Sequence, residues 1–230
     1  MRKTATAAVA VLTGALAVGA SAGSGAATVQ SAPTTVAAGH SAYTPGSGDN
    51  AQNDRLRAQL QKALAQQGLQ ATQGKVRAAT TVYYSVADAP TYASVIRQGA
   101  SIWNSSVSNV KLVENSSAAT LDYREGNDSR GSYAYTDGHG SGYIFFDHTQ
   151  MGQYAQVRVA AHETGHALGL PDHYEGPCSE LMSGGGPGPS CTNAQPNSTE
   201  ISQVNSLWAN GFAKAPQKSV VNTAPKVLVH

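Results

Sequence analysis

Charge is scarce in this chain. Only 13% of its 230 residues are Asp, Glu, Lys or Arg, well below the ~25% of an ordinary soluble domain, so its surface must be built largely from uncharged polar groups, as suits an extracellular protein. Basic side chains are scarcest where a globular domain is expected. Between Thr80 and Gly211 there are five (Arg97, Lys111, Arg124, Arg130, Arg158) against twelve acidic ones, a balance of −7, which excludes nucleic acid as a natural partner. Long apolar runs are missing too. The run from Ala5 to Ala20 is short and rich in Ala and Gly, whereas a membrane span needs about 20 strongly apolar residues; stable membrane association is not expected. Cysteine is limited to Cys178 and Cys191.

What is present at the N-terminus is a charged start, Met1 to Thr4, ahead of that modest apolar run. This is the pattern of a secretory signal, cut after Ala22 or near Ala26 and Ala27, and residues 1–27 are assigned to it. The next stretch, to about Asn53, is mainly Ala, Gly, Ser, Thr and Pro and cannot bury enough apolar surface to offset its chain entropy. From Asp54 to Gln70, Leu56, Leu60 and Leu64 recur every four residues, which predicts a helix with a narrow apolar stripe that needs a surface to pack on. Residues 28–79 therefore read as a propeptide cut near Lys75 to Thr80, against the simpler alternative of a linker helix. Residues 212–230 carry three Lys and no acid and are expected to be a flexible tail.

The domain proper begins with Thr80 to Val86, β-branched and aromatic enough for a strand. Ala93, Ile96, Ala100 and Trp103 then recur at three and four within Thr91 to Trp103, an amphipathic helix. Val107–Val113, Ala119–Tyr123 and Gly142–Asp147 read as further strands, Glu125–Gly131 as a polar loop, and Met151–Leu168 as one helix. Asn197 or Ser198 caps a last helix that Gly211 ends. The order predicts an α+β fold, a small mixed sheet carrying helices.

The chemistry is concentrated in H-E-T-G-H-A-L-G-L-P-D-H-Y, His162 to Tyr174. His162 and His166 are four apart, so on a helix both imidazoles stand on one face and can hold one ion. Glu163 lies beside that face. A bound metal lowers the pKa of its water from about 15.7 to about 7, and a neighbouring carboxylate can then take the proton. Gly169 can end the helix in a left-handed turn and Pro171 prevents its continuation, freeing the chain to swing back. Asp172 is the first side chain able to supply a third ligand, with His173 as a competitor.

This pattern resembles the metzincin proteases, with Asp172 where most carry His. That substitution is similar to the snapalysin family of small secreted neutral proteases, a resemblance that runs from about Thr80 to Gly211 and includes Glu125–Tyr133, Asp137–Gly140 and Pro177–Cys191. It implies a secreted, monomeric zinc metalloendopeptidase acting on protein or peptide substrates, with His162, His166 and Asp172 on one zinc. Glu163 would be general base and acid, and Met182 would form the methionine turn beneath the metal. It further implies an antiparallel edge strand above the active-site helix, at Gly142–Asp147, and a preference for Tyr or Phe just after the cleaved bond.

Tyr174 is a candidate donor to the carbonyl oxygen as it gains charge, with plain packing as the alternative. The family can also bind calcium near the helix, through an Asp and a Thr just before the zinc motif; Ala155 and Val157 stand there instead, and neither can ligate Ca2+. Asp147 and Asp128 remain as oxygen donors for a different site. Cys178 and Cys191, the only pair in an exported chain, are most simply a disulfide, contributing ~3 kcal/mol by the chain-entropy model; two thiolate zinc ligands are the rival. His139 and His148 lack metal-ligand spacing and read as surface histidines. Two other function classes stay open: a thermolysin-like protease using Glu200 as third ligand, and a non-catalytic secreted module that binds metal.

Overall fold

The computed structural model describes residues 47–70 and 78–209, with side chains from 50–66 and 78–209. The expected signal at 1–27, residues 28–46 of the expected propeptide, residues 71–77 at the expected cleavage region and the expected tail at 212–230 lie outside the described residues, as does Gly211. Helix α1 spans Ser47–Gln70. Strand β1 (Thr80–Asp88), helix α2 (Ala93–Ser106), strands β2 (Val110–Glu114), β3 (Leu121–Gly126), β4 (Tyr133–Thr136) and β5 (Gly142–Asp147) follow. Helices α3 (His148–Gln153), α4 (Gln156–Ala167) and α5 (Ser198–Trp208) complete the order. No described helix is long and apolar enough to cross a membrane.

The sheet runs β2-β1-β3-β5-β4. Its first four members are parallel, and β4 alone is antiparallel, pairing Tyr133 with Phe145 and Thr136 with Gly142. The edge strand is therefore β4 and not Gly142–Asp147, which lies inside the sheet between β3 and β4. The four residues of β4 fall between the loop expected at Glu125–Gly131 and the strand expected at Gly142–Asp147, where the sequence reading places no element. A signal for them exists in Asp137-Gly138, a turn dipeptide just after the alternation Y-A-Y-T; Asp137 accepts hydrogen bonds from the His139 and Ser141 amides and closes the hairpin.

The expected helix Met151–Leu168 is also two helices. Asp147 caps α3 by accepting from the Gln150 amide at 2.8 Å, so the helix starts early at His148. Tyr154 and Ala155 are then extended, with ψ of 163° and 107°, before α4 restarts at Gln156. The same Asp147 carboxylate accepts the Asp128 amide, while Asp128 grips Arg130. Both carboxylates are thus engaged within the domain.

Helix α4 runs through the core, and every residue from Arg158 to Leu170 is buried. Helix α2 approaches it closely because Gly99 lies over Ala160 and Ala161, where an added Cβ would be 3.2 Å from the Ala161 nitrogen. Trp103 Nε1 donates to the Ala161 carbonyl at 2.8 Å. Behind α4, the Thr164 hydroxyl donates to Ala160 O at 2.6 Å and so accepts from Tyr123 on β3 at 2.8 Å. Tyr123, Phe146 and Ile144 fill the sheet side of this core. The packing leaves His162 and His166 on the one face of α4 that meets a cleft.

Candidate active site

Each histidine is aimed by a carbonyl. His162 Nδ1 lies 3.0 Å from Leu181 O, and His166 Nδ1 lies 2.8 Å from Leu170 O. A carbonyl only accepts, so both Nδ1 atoms carry hydrogen and both Nε2 atoms present bare lone pairs when the rings are neutral. Those two Nε2 atoms face each other at 3.2 Å.

The exit from α4 delivers the third group. Gly169 adopts φ 102°, a conformation that a side chain resists, and the chain doubles back. Asp172 Oδ1 comes to 3.2 Å from His162 Nε2 and 3.3 Å from His166 Nε2. It is buried and accepts no hydrogen bond. Three acceptors thus form a near-equilateral triangle with edges of 3.2 to 3.3 Å, which matches one face of a tetrahedron around an ion with bonds of about 2.0 Å. The residues fit a divalent metal. Without one, the site recruits a proton: burial alone would lower His166, but the Asp172 carboxylate outweighs it and holds the ring up to about 9. Asp172 is held well below its usual range, because the two rings overcome the opposing effect of burial.

The floor of the site is the segment after Asp172. His173 N donates to Met182 O at 2.7 Å, tying the exit loop to the turn at Leu181–Ser183. Gly184, at φ 55°, lies so close beneath His162 that a Cβ would stand 3.0 Å from the ring. The buried Arg158 guanidinium donates to the carbonyls of Glu180, Gly184 and Asn193 and to Ser183 Oγ. Burial lowers its pKa, yet an arginine stays charged. From the sequence alone Arg158 is only one of five basic residues in the domain. Cys178 and Cys191 are disulfide-bonded, with Cα atoms 5.6 Å apart, closing the same loop.

The sequence profile of the Streptomyces extracellular neutral proteinase (M7) family matches residues 79–211. This chain belongs to that family. It is 57% identical over 202 residues to an extracellular small neutral protease of Streptomyces lividans, covering 86% of this chain and 88% of the relative. A protein of the same description from Streptomyces caespitosus is 65% identical over 131 residues, which are 57% of this chain but 98% of the relative.

Among the described residues, the M7 site is the one group of His, Cys, Asp or Glu disposed to hold an ion. Glu163 is buried and lines the cleft with Tyr174. The Tyr174 hydroxyl donates to Asp172 Oδ2 at 2.7 Å. Glu200 is elsewhere: its carboxylate accepts the amides of Met182, Leu181 and Asn197, the last within a capping box. His173 turns outward to Glu180, leaving Asp172 as the group that returns to the histidines. His148 is exposed and shares a hydrogen bond with Tyr92, and His139 is half-buried near Trp208.

Proposed function

We propose that the chain is a secreted zinc-dependent endopeptidase, with residues 1–27 as export signal, 28–79 as propeptide, 80–211 as protease domain and 212–230 as tail. One observation carries the reading: three potential ligand atoms, from His162, His166 and Asp172, converge within 3.3 Å of one another in a buried cleft. These three side chains would hold the zinc, which polarises a peptide carbonyl and lowers the pKa of bound water when it is present. Glu163, adjacent to His162, takes the proton from the attacking water and passes it to the departing amine. Tyr174 exchanges its bond to Asp172 for one to the substrate oxygen as that oxygen gains charge. Strand β4 receives the extended substrate by main-chain pairing, and Tyr133, Tyr154 and Val159 at the cleft wall favour an aromatic side chain, Tyr or Phe, just after the cleaved bond. The propeptide assignment agrees with a family match that begins only at residue 79.

The test is secreted protein, its N-terminus sequenced and its metal measured, incubated with a mixed peptide pool. Expected are one zinc per chain, a start between Lys75 and Thr80, and cuts before Tyr or Phe that a chelator abolishes and added zinc restores. Chelator-resistant cleavage would overturn the metal assignment, and a start before Leu60 would overturn the propeptide.

A further inference from the structure

Helix α1 meets the domain through groups that a substrate would need. The Gln52 side-chain amide donates to Ala134 O at 2.7 Å and accepts from the Thr136 amide at 3.0 Å. Those two main-chain groups of β4 point away from β5, since pairing along a strand alternates from side to side. One carboxamide therefore satisfies the very pair that an extended peptide at this edge would use. The next residue, Asn53, does the same to Asp172. Its Nδ2 donates to Asp172 Oδ2 at 2.7 Å and its Oδ1 accepts the Asp172 amide at 2.9 Å, both bonds buried. Arg57 donates to Asp172 O at 2.7 Å. Helix α1 thus engages the amide, the carbonyl and the outer carboxylate oxygen of Asp172, and leaves Oδ1 facing the histidines.

The contact is built as a seat. Leu56 is fully buried against Gly138, where a Cβ would lie 2.5 Å from its methyl, and Leu60 joins the main core. Leu64 on the same stripe is 42% exposed, so the seat extends over the turns nearest the cleft and not the whole helix. Gln52 and Asn53 are both part of the cleft lining.

We propose that α1 is a built-in inhibitor of the cleft, in which the Gln52 carboxamide takes the place of substrate main chain on β4 and the Asn53 carboxamide clasps Asp172. The inference rests on the protease reading and deepens its propeptide assignment. While seated, α1 excludes peptide and holds the arm of Asp172 in its ligating position, so the metal site is assembled before the cleft opens. Removing α1 exposes Ala134 O and Thr136 N–H together.

The experiment uses the full chain in a Glu163→Gln background, with α1 in place. Asn53→Asp keeps the size of the side chain but sets one carboxylate against another, and Gln52→Ala removes the β4 mimic. Amide hydrogen exchange at Thr136 and Asp172, and anisotropy of a fluorescein-labelled extended peptide with a central Tyr, are measured for each. Loss of the paired hydrogen bonds is expected to speed exchange and to tighten peptide binding by roughly tenfold or more. Unchanged peptide affinity in both variants would overturn the proposal, whether or not exchange changes, because α1 would then be a structural element only. Neither readout needs catalysis. Hydrolysis by the chain with Glu163 restored and α1 removed is scored separately, so failure of the protease reading is seen as absent cleavage and does not resemble failure of the clasp.

Discussion

Gly165 and Met182 stand so close that a Cβ on Gly165 would lie 2.6 Å from the Met182 sulfur and 3.2 Å from the Trp103 ring. The glycine between the two histidines is therefore what allows the turn at Met182 to lie under α4. Gly165→Ala should overpack this contact and lower stability by about 1 to 3 kcal/mol, read as a lower urea midpoint with and without chelator. A midpoint equal to or above that of the native protein would show that Met182 does not buttress the helix.

Glu163 and His166 should separate in their effects. Glu163→Gln is expected to keep zinc while turnover falls by roughly 10² to 10⁴, whereas His166→Ala loses both. Zinc content and peptide hydrolysis on the same preparation decide it; substantial protease activity in Glu163→Gln would remove its assigned role.

Tyr174 carries the finer question. If its hydroxyl assists the developing oxyanion, Tyr174→Phe should reduce kcat by roughly a hundredfold with KM and zinc affinity little changed. A fall in zinc affinity instead would assign the hydroxyl to holding Asp172 Oδ2, the bond it makes here.

The pH behaviour of chelator-treated protein follows from two opposed shifts. His166 is raised from 6.5 to about 9, so its contribution is complete below 6.5 and is lost as pH rises through about 9. Asp172 is lowered from 3.8, so its contribution is present above 3.8 and is lost as pH falls through the lower folded value. Metal-free protein should accordingly melt at a higher temperature near pH 6 than near pH 9.5. Zinc bound here would displace the shared proton, so its binding below about pH 9 should release protons, measurable by calorimetry in buffers of different ionisation enthalpy, and activity should fade in mild acid. Equal melting temperatures at the two pH values would contradict the coupling.

Glu200→Gln tests the other protease class. The carboxylate serves three backbone amides, so the variant should lose about 1 to 3 kcal/mol of stability with zinc content unchanged. Loss of zinc would transfer the third-ligand role to Glu200.

The sequence by itself determined the features whose partners are near in the chain. A spacing of four places His162 and His166 on one helix face, Gly169 and Pro171 turn the backbone, and Asn197 or Ser198 marks the start of the last helix. Cys178 and Cys191 close a loop of their own. Such features depend on backbone geometry over one or two turns, which residue type and spacing encode directly. Tertiary structure alone decided that Tyr133–Thr136 is the edge strand, because four residues become a strand only through pairing with Phe145 to Gly142. The break at Tyr154 and Ala155 is more local, since Asp147 caps the amide of Gln150 three residues on and so starts the first helix early. The contact of Asn53 with Asp172 spans 119 positions, and no local pattern can announce it: two polar side chains with many possible partners acquire these particular ones only when the apolar stripe of Leu56 and Leu60 has found its seat.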